Sequence, residues 1–110
     1  MRLLTWNLNA RRRIERQVAA VADREPDVLA LQELTANSIA AWRLALVHAG
    51  ARNVADSFSH APPWQATGPR RYGLLIASRF PLVHLPLRHE IPWPERVLSI
   101  EIVRRDPLEL

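Results

Sequence analysis

Two asparagines and a glutamate supply the oxygen donors from which chemistry can be built in this chain. Asn7 and Asn9 close the segment Leu4-Thr5-Trp6-Asn7-Leu8-Asn9, and Glu33 closes the segment Leu29-Ala30-Leu31-Gln32-Glu33. Glu33 offers a carboxylate to a hard cation such as magnesium, which prefers oxygen ligands, keeps several waters and often takes only one or two protein carboxylates. Asn7 offers an amide that can orient a phosphate oxygen or a cation-bound water. Taken singly, neither residue is specific. A glutamate at a strand end is commonly a solvated charge, and Asn9 stands where a helix N-cap would stand. Two hydrophobic runs that each end on such a side chain, one helix apart, make a sharper pattern: the beginning of a site for metal-assisted attack on a phosphate ester.

The elements that must position these residues are legible as periodicities. Residues 2–8 are apolar with aromatic and branched content and predict a buried strand. From Arg11 to Arg24, Ile14, Val18 and Val21 recur at helical spacing, with Arg and Glu on the other face. Pro26 ends that helix. The run Val28-Leu29-Ala30-Leu31-Gln32 has the continuous apolar character of a parallel strand buried on both faces. Strand, helix and strand in about thirty residues predict a βαβ unit with a right-handed crossover. In an open α/β sheet, ligands collect at the carboxyl ends of the strands, where Asn7 and Glu33 lie.

Further along, Thr35 or Asn37 can cap a second helix with an apolar stripe of Ile39, Trp42, Ala45 and Leu46, closed by Gly50. Residues 52–55 predict a short strand, residues 57–71 a surface loop, and 73–78 a further strand. Arg79-Phe80-Pro81 breaks that strand before 82–85 resumes. A proline-rich loop spans Pro86 to Pro94, and 97–103 predicts a last strand. No internal repeat or low-complexity tract is present.

Composition narrows the class. With 110 residues, 48 % of them hydrophobic, the chain has the size and character of one globular domain and not of a disordered one. The lack of cysteine excludes disulfides, thiolate catalysis and cysteine-based zinc sites. No apolar run approaches the ~18 residues of a membrane span, and the N-terminus turns polar too early for a signal peptide, so a cytoplasmic protein is expected. All fifteen cationic residues are arginine, whose planar fork suits phosphate. A GC-rich coding sequence produces the same bias. The net charge of +4 permits a polyanionic partner without requiring one.

Three ordered blocks carry a resemblance to a known family: Trp6-Asn7-Leu8-Asn9, then Asp27 to Glu33, then Tyr72-Gly73-Leu74-Leu75-Ile76-Ala77-Ser78-Arg79-Phe80-Pro81-Leu82. Together they resemble the endonuclease/exonuclease/phosphatase superfamily, which includes apurinic endonucleases, DNase I-like nucleases and inositol-polyphosphate phosphatases. The resemblance runs from Met1 to about Val103. It implies an α/β fold, with a mixed sheet and flanking helices, forming the first half of a DNase I-like two-sheet sandwich. It also implies a magnesium- or manganese-dependent phosphoesterase acting on a phosphate-containing substrate, nucleic acid among the options. By the same resemblance Asn7 is the active-site asparagine and Glu33 the metal-ligating glutamate. Asn9 takes a position where many members carry an aspartate that approaches the metal, Tyr72 corresponds to a residue near the phosphate in some branches, and Arg96 is either a substrate-facing or a plain surface arginine.

The family's later blocks, an Asp with an Asn two residues on and a closing Ser-Asp-His, have no counterpart after Arg71. His84, His89 and Asp106 stand in other contexts. Residues 1–110 are therefore expected to be the N-terminal part of such a domain, nearly inert alone and with one sheet face in need of a cover from a missing half or a second copy. The alternative is a catalytically silent binding or interaction fragment. Arg11, Arg12 and Arg13 oppose the first helix dipole; either they are solvated at small cost, or a bound phosphate at that end offsets them.

Overall fold

A computed structural model describes residues 1–9, 13–59, 72–86 and 94–104. The chain begins with strand β1 (Leu3–Asn7), helix α1 (Ile14–Arg24) and strand β2 (Val28–Thr35). A 3-10 turn (Ala36–Ser38) leads into helix α2 (Ile39–His48), and strand β3 (Asn53–Asp56) follows. A second 3-10 turn (Ser57–Ser59) precedes the undescribed stretch, after which come β4 (Tyr72–Ser78), β5 (Leu82–His84), a 3-10 turn (Pro94–Arg96) and β6 (Ile100–Ile102). None of the described helices is long and apolar enough to cross a membrane.

The main sheet has the order β1-β2-β4-β3, with β1 and β2 parallel and β4 antiparallel to both of its neighbours. The first three strands therefore run the same way, and their carboxyl ends share one end of the sheet with the amino end of β4. Each helix returns the chain to start the next of these strands, so the amino ends of α1 and α2 also lie toward that end. The mixed α/β sheet expected from the sequence is the sheet observed.

Strand alternation sorts the side chains. Leu4 and Trp6 on β1, Leu29 and Leu31 on β2, and Leu75 and Ala77 on β4 pair across the strands and pack under Val21, Ile39, Trp42 and Leu46 of the helices. This layer is the core, with Leu31, Trp42 and Leu75 at most 1 % exposed. The other face carries the row Thr5, Ala30, Ile76 and Ala55, none of them fully buried, and Leu3 at its margin is exposed. A third principal extent of only 18 Å matches one sheet and one helix layer.

Helix α2 ends as its sequence demands. Gly50 adopts φ +105, its N–H bonds the Val47 carbonyl and the Ala51 N–H bonds the Leu46 carbonyl, both at 3.0 Å. That is the paired termination for which glycine is favoured at the residue after the cap. Neither helix has a side-chain N-cap. The expected cap from Asn9 is not made, because α1 starts only at Ile14, after Arg13, and Asn9 belongs to a turn of its own. Thr35 and Asn37 do not cap α2 either: the 3-10 turn intervenes, so Ser38 takes the cap position. Of the three arginines expected at the helix start, Arg11 and Arg12 lie outside the described residues. The segment read as a loop from residue 57 begins with a buried turn, in which Ser57 and Phe58 enter the core region. Residues 60–71 of that loop and 87–93 of the proline-rich one lie outside the described part.

Strands β5 and β6 form a separate antiparallel pair, Leu82 opposite Ile102 and His84 opposite Ile100. The junction between this pair and the main sheet is tied at Asp27. Its Oδ2 accepts the Arg2 backbone N–H at 2.6 Å, its Oδ1 lies 3.3 Å from Arg79 Nε, and its carbonyl accepts the Arg79 N–H. The Arg2 N–H is the main influence holding the carboxyl of Asp27 below its ordinary value. Partial burial opposes it, while Arg79, the N-terminal amine and Arg104 add to it.

Candidate metal and phosphate site

Asn7 is the last residue of β1, opposite Gln32 on β2. The ladder runs one step further, with the Leu8 N–H on the Gln32 carbonyl at 2.9 Å, and this draws Leu8 into the core at 1 % exposure. With Leu8 pinned inward, Asn7 and Asn9 on either side of it are exposed. The Asn9 N–H donates to Asn7 Oδ1 at 3.0 Å, and Asn9 takes φ +50. The two asparagines thus form a side-chain-closed turn, the kind that tolerates the left-handed region better than other residues do. Asn7 Oδ1 keeps a second lone pair for a ligand.

Glu33 owes its position to an irregularity in β2. The pairing with β4 steps from Leu31 opposite Leu75 to Leu34 opposite Gly73, three residues on β2 against two on β4. The extra residue makes a β-bulge, and Glu33 within it has φ +58. The cause is in the sequence. Leu31 and Leu34 are three apart, so a regular strand would send them to opposite faces, yet each is 1 % exposed in the core. The bulge restores Leu34 to the core face, and Glu33 absorbs the backbone change. Two of the three non-glycine residues found in the left-handed region among the described residues, Asn9 and Glu33, therefore stand at the same end of two adjacent strands, while the third, Glu25, ends α1. Such strain persists where surrounding structure over-determines it, and it concentrates at functional sites.

Tyr72 comes to the same end by pairing, since it lies opposite Thr35 at the end of β2. Its neighbour Gly73 has no room for a side chain: an added Cβ would lie 2.8 Å from Phe58 Cζ and 2.9 Å from Phe58 Cδ2. Ser57 Oγ accepts the Leu74 N–H at 2.9 Å and fixes that turn against β4. Arg96 is half-buried on the last 3-10 turn, which packs against β4 and against residues 57–59. It reaches this region by packing and not by strand pairing. Strand order thus brings Asn7, Asn9, Glu33 and Tyr72 to one end of the sheet, and the turn that carries Arg96 packs on the β4 side.

A second carboxylate, Asp56, ends β3 at the same end of the sheet, but it is committed to the fold. It is buried, lies 3.3 Å from Arg43 Nη1 of α2, and is 3.4 Å from the Ser59 hydroxyl that donates to it. Among the described residues no group of three or more His, Asp or Glu side chains could hold a metal ion. What the strand ends offer is one carboxylate and amide oxygens. That set lacks sulfur and imidazole, so it fits a hard cation that retains most of its waters and not a tightly caged transition metal. The amino ends of two helices add a positive field in which an anion is favoured.

Comparison with known proteins identifies the family of the chain. The sequence model of the Endonuclease/Exonuclease/phosphatase family matches residues 4–110, nearly the whole chain. Searches of curated proteins and of solved structures gave no match. The chain belongs to the endonuclease/exonuclease/phosphatase family, and its mixed sheet with two helices is consistent with part of a DNase I-like fold.

Proposed function

We propose that this member of the endonuclease/exonuclease/phosphatase family contributes the Glu33 and Asn7 portion of a magnesium-dependent phosphoesterase site, taking phosphodiesters or phosphomonoesters in a nuclease-like manner. The observation that carries the reading is the pair of strained turns, Asn7-Leu8-Asn9 and the Glu33 bulge, side by side on adjacent strand ends. Glu33 holds the cation through its carboxylate, with Asn9 as a neutral oxygen donor beside it. A bound divalent cation supplies charge stabilisation to the phosphate oxygens. Asn7 orients a phosphate oxygen or the attacking water with the amide N–H and the lone pair that its turn leaves over. The Tyr72 hydroxyl and the Arg96 guanidinium bind the substrate phosphate from the β4 side. An asparagine at position 9 has one negative charge fewer than an aspartate would, so cation affinity is weak and substrate phosphate completes the binding.

A second reading, metal and phosphate binding without turnover, is favoured by one observation. In-line attack of water needs a general base, and no cluster of carboxylates or histidines surrounds Glu33 among the described residues. Bis(4-nitrophenyl) phosphate hydrolysis in magnesium, with Glu33→Ala as control, separates the two. Magnesium-dependent turnover lost in the variant supports the enzyme. Magnesium binding lost in the variant without any turnover supports the binding module. Magnesium binding unchanged in the variant removes Glu33 from the site and sinks both.

A further inference from the structure

The outer surface of the helix layer is built unlike a solvated face. Helix α2 buries Ile39, Trp42 and Leu46 toward the sheet, yet its opposite side carries Ala40, Ala41, Leu44 and Val47 in place of charged residues. Leu44 is 62 % exposed and Val47 55 %. Arg43 is the one arginine of α2, and it turns aside to Asp56 and the Val54 carbonyl. A helix that is apolar all round belongs in an interior, so one side of α2 lacks its cover.

Beside that side runs an open groove between the two helices. Val18, Ala19 and Ala22 of α1 form one wall, and Ala41, Leu44 and Ala45 of α2 form the other. Each set is spaced to share one helix face. Small side chains on both walls keep the groove wide, with a volume of about 1120 Å³. The rim is charged at one end. Arg13, Glu15 and Arg16 stand at the amino end of α1, and all three are exposed. Two arginines against one glutamate, with the amino ends of both helices pointing the same way, make that end positive.

We propose that this groove docks an amphipathic helix of a partner protein, its apolar face on Val18, Leu44 and the alanine walls and its acidic residues at the Arg13–Arg16 end. Charge selects this occupant. A second copy of the chain would bring the same positive surplus to the interface, whereas an acidic helix complements it. The apolar stripe supplies contact area, and the arginines set the orientation.

The test uses the full chain and two fluorescein-labelled amphipathic peptides with the same Leu/Ala face, one with glutamates clustered at one end and one with lysines in their place. Fluorescence anisotropy is expected to show the glutamate peptide binding at least tenfold tighter. Leu44→Gln, at an exposed position, is expected to weaken it at least tenfold with no loss of thermal midpoint. Arg13→Glu with Arg16→Glu is expected to reverse the peptide preference, which a merely structural role would not do. The proposal is overturned by no binding of either peptide, by equal affinity for both, or by indifference to Leu44→Gln. It is equally overturned if the face instead forms a Leu44-dependent dimer in sedimentation, or takes up anionic phosphatidylserine vesicles in preference to the peptide.

Discussion

Glu33 is asked to do two opposed things, and replacing it with glycine separates them. Its φ of +58 places an L-residue in the left-handed region, at a cost of about 1–2 kcal/mol. Glycine removes that cost but returns about 0.5–1 kcal/mol through the greater freedom of the unfolded chain. Without metal, Glu33→Gly is therefore expected to be more stable than the wild type by about 0–1.5 kcal/mol, centred on about 0.7 kcal/mol. With a urea slope of about 1–3 kcal/mol per molar, the midpoint rises by a few tenths of a molar. Glu33→Gln keeps the strain and loses only the charge, so in EDTA it is expected to unfold near the wild-type midpoint. Magnesium changes the order. For a dissociation constant of about 1 mM, 10 mM magnesium stabilises a binding protein by about 1.4 kcal/mol, since binding to the native state adds RT ln(1 + [L]/Kd). The wild type is then expected to overtake the glycine variant, while both variants stay where they were. Urea titrations followed by tryptophan fluorescence, in EDTA and in magnesium, measure all of this. A glycine variant less stable than the glutamine variant in EDTA would refute the strained-bulge argument. Equal stabilisation of all three proteins by magnesium would refute the role of Glu33 as ligand.

Three other outcomes are expected. Gly73→Ala drives a methyl into the Phe58 ring and is expected to cost about 1–3 kcal/mol as overpacking does; a second change, Phe58→Leu, recovers part of the loss in a double-mutant cycle. Arg43→Ala removes the guanidinium from the buried Asp56 carboxylate and leaves the Ser59 hydroxyl donating to it, and a loss of about 1–2 kcal/mol is expected from stranding that charge, kept modest because Arg43 itself is partly exposed; chemical denaturation of the single and of Arg43→Ala with Asp56→Ala checks whether the cost lies in the pair. Asp27 has its carboxyl lowered in the folded state, so its contribution is present above its unfolded value and is lost as pH falls through the folded one. The stability gap between wild type and Asp27→Asn is accordingly expected at neutral pH and is expected to close in acid, measured as urea midpoints at pH 7 and near pH 3.

Much of the architecture was legible because periodicity reports burial directly. The apolar spacing of Ile14, Val18 and Val21 gave α1, the stripe of Ile39, Trp42 and Leu46 gave α2 with Gly50 as its stop, and the apolar runs gave β1, β2 and β4. Helix starts were less legible, because neither Asn9 nor Thr35 lies next to the first helical turn. Asn9 is used in a turn with Asn7, and a 3-10 turn separates Thr35 from α2. The division of β4 and β5 between two sheets was not written in the strand patterns either, since pairing joins residues far apart in sequence.

For the site, the sequence by itself determined which oxygen donors exist and on which segments they end: Asn7 and Asn9 after one apolar run, Glu33 inside another, and Tyr72 at the head of a third. It also contained the cause of the bulge, because two core leucines three residues apart cannot lie on one face of a regular strand. What only the tertiary structure decided is that these donors share one end of the sheet. That followed from β1 and β2 pairing in parallel, from β4 inserting antiparallel between β2 and β3, and from the core drawing in both Leu31 and Leu34. Residue identity is local, whereas register is fixed by what the whole core will bury. The left-handed backbone at Glu33 is the point where that global requirement meets the carboxylate proposed to hold a cation.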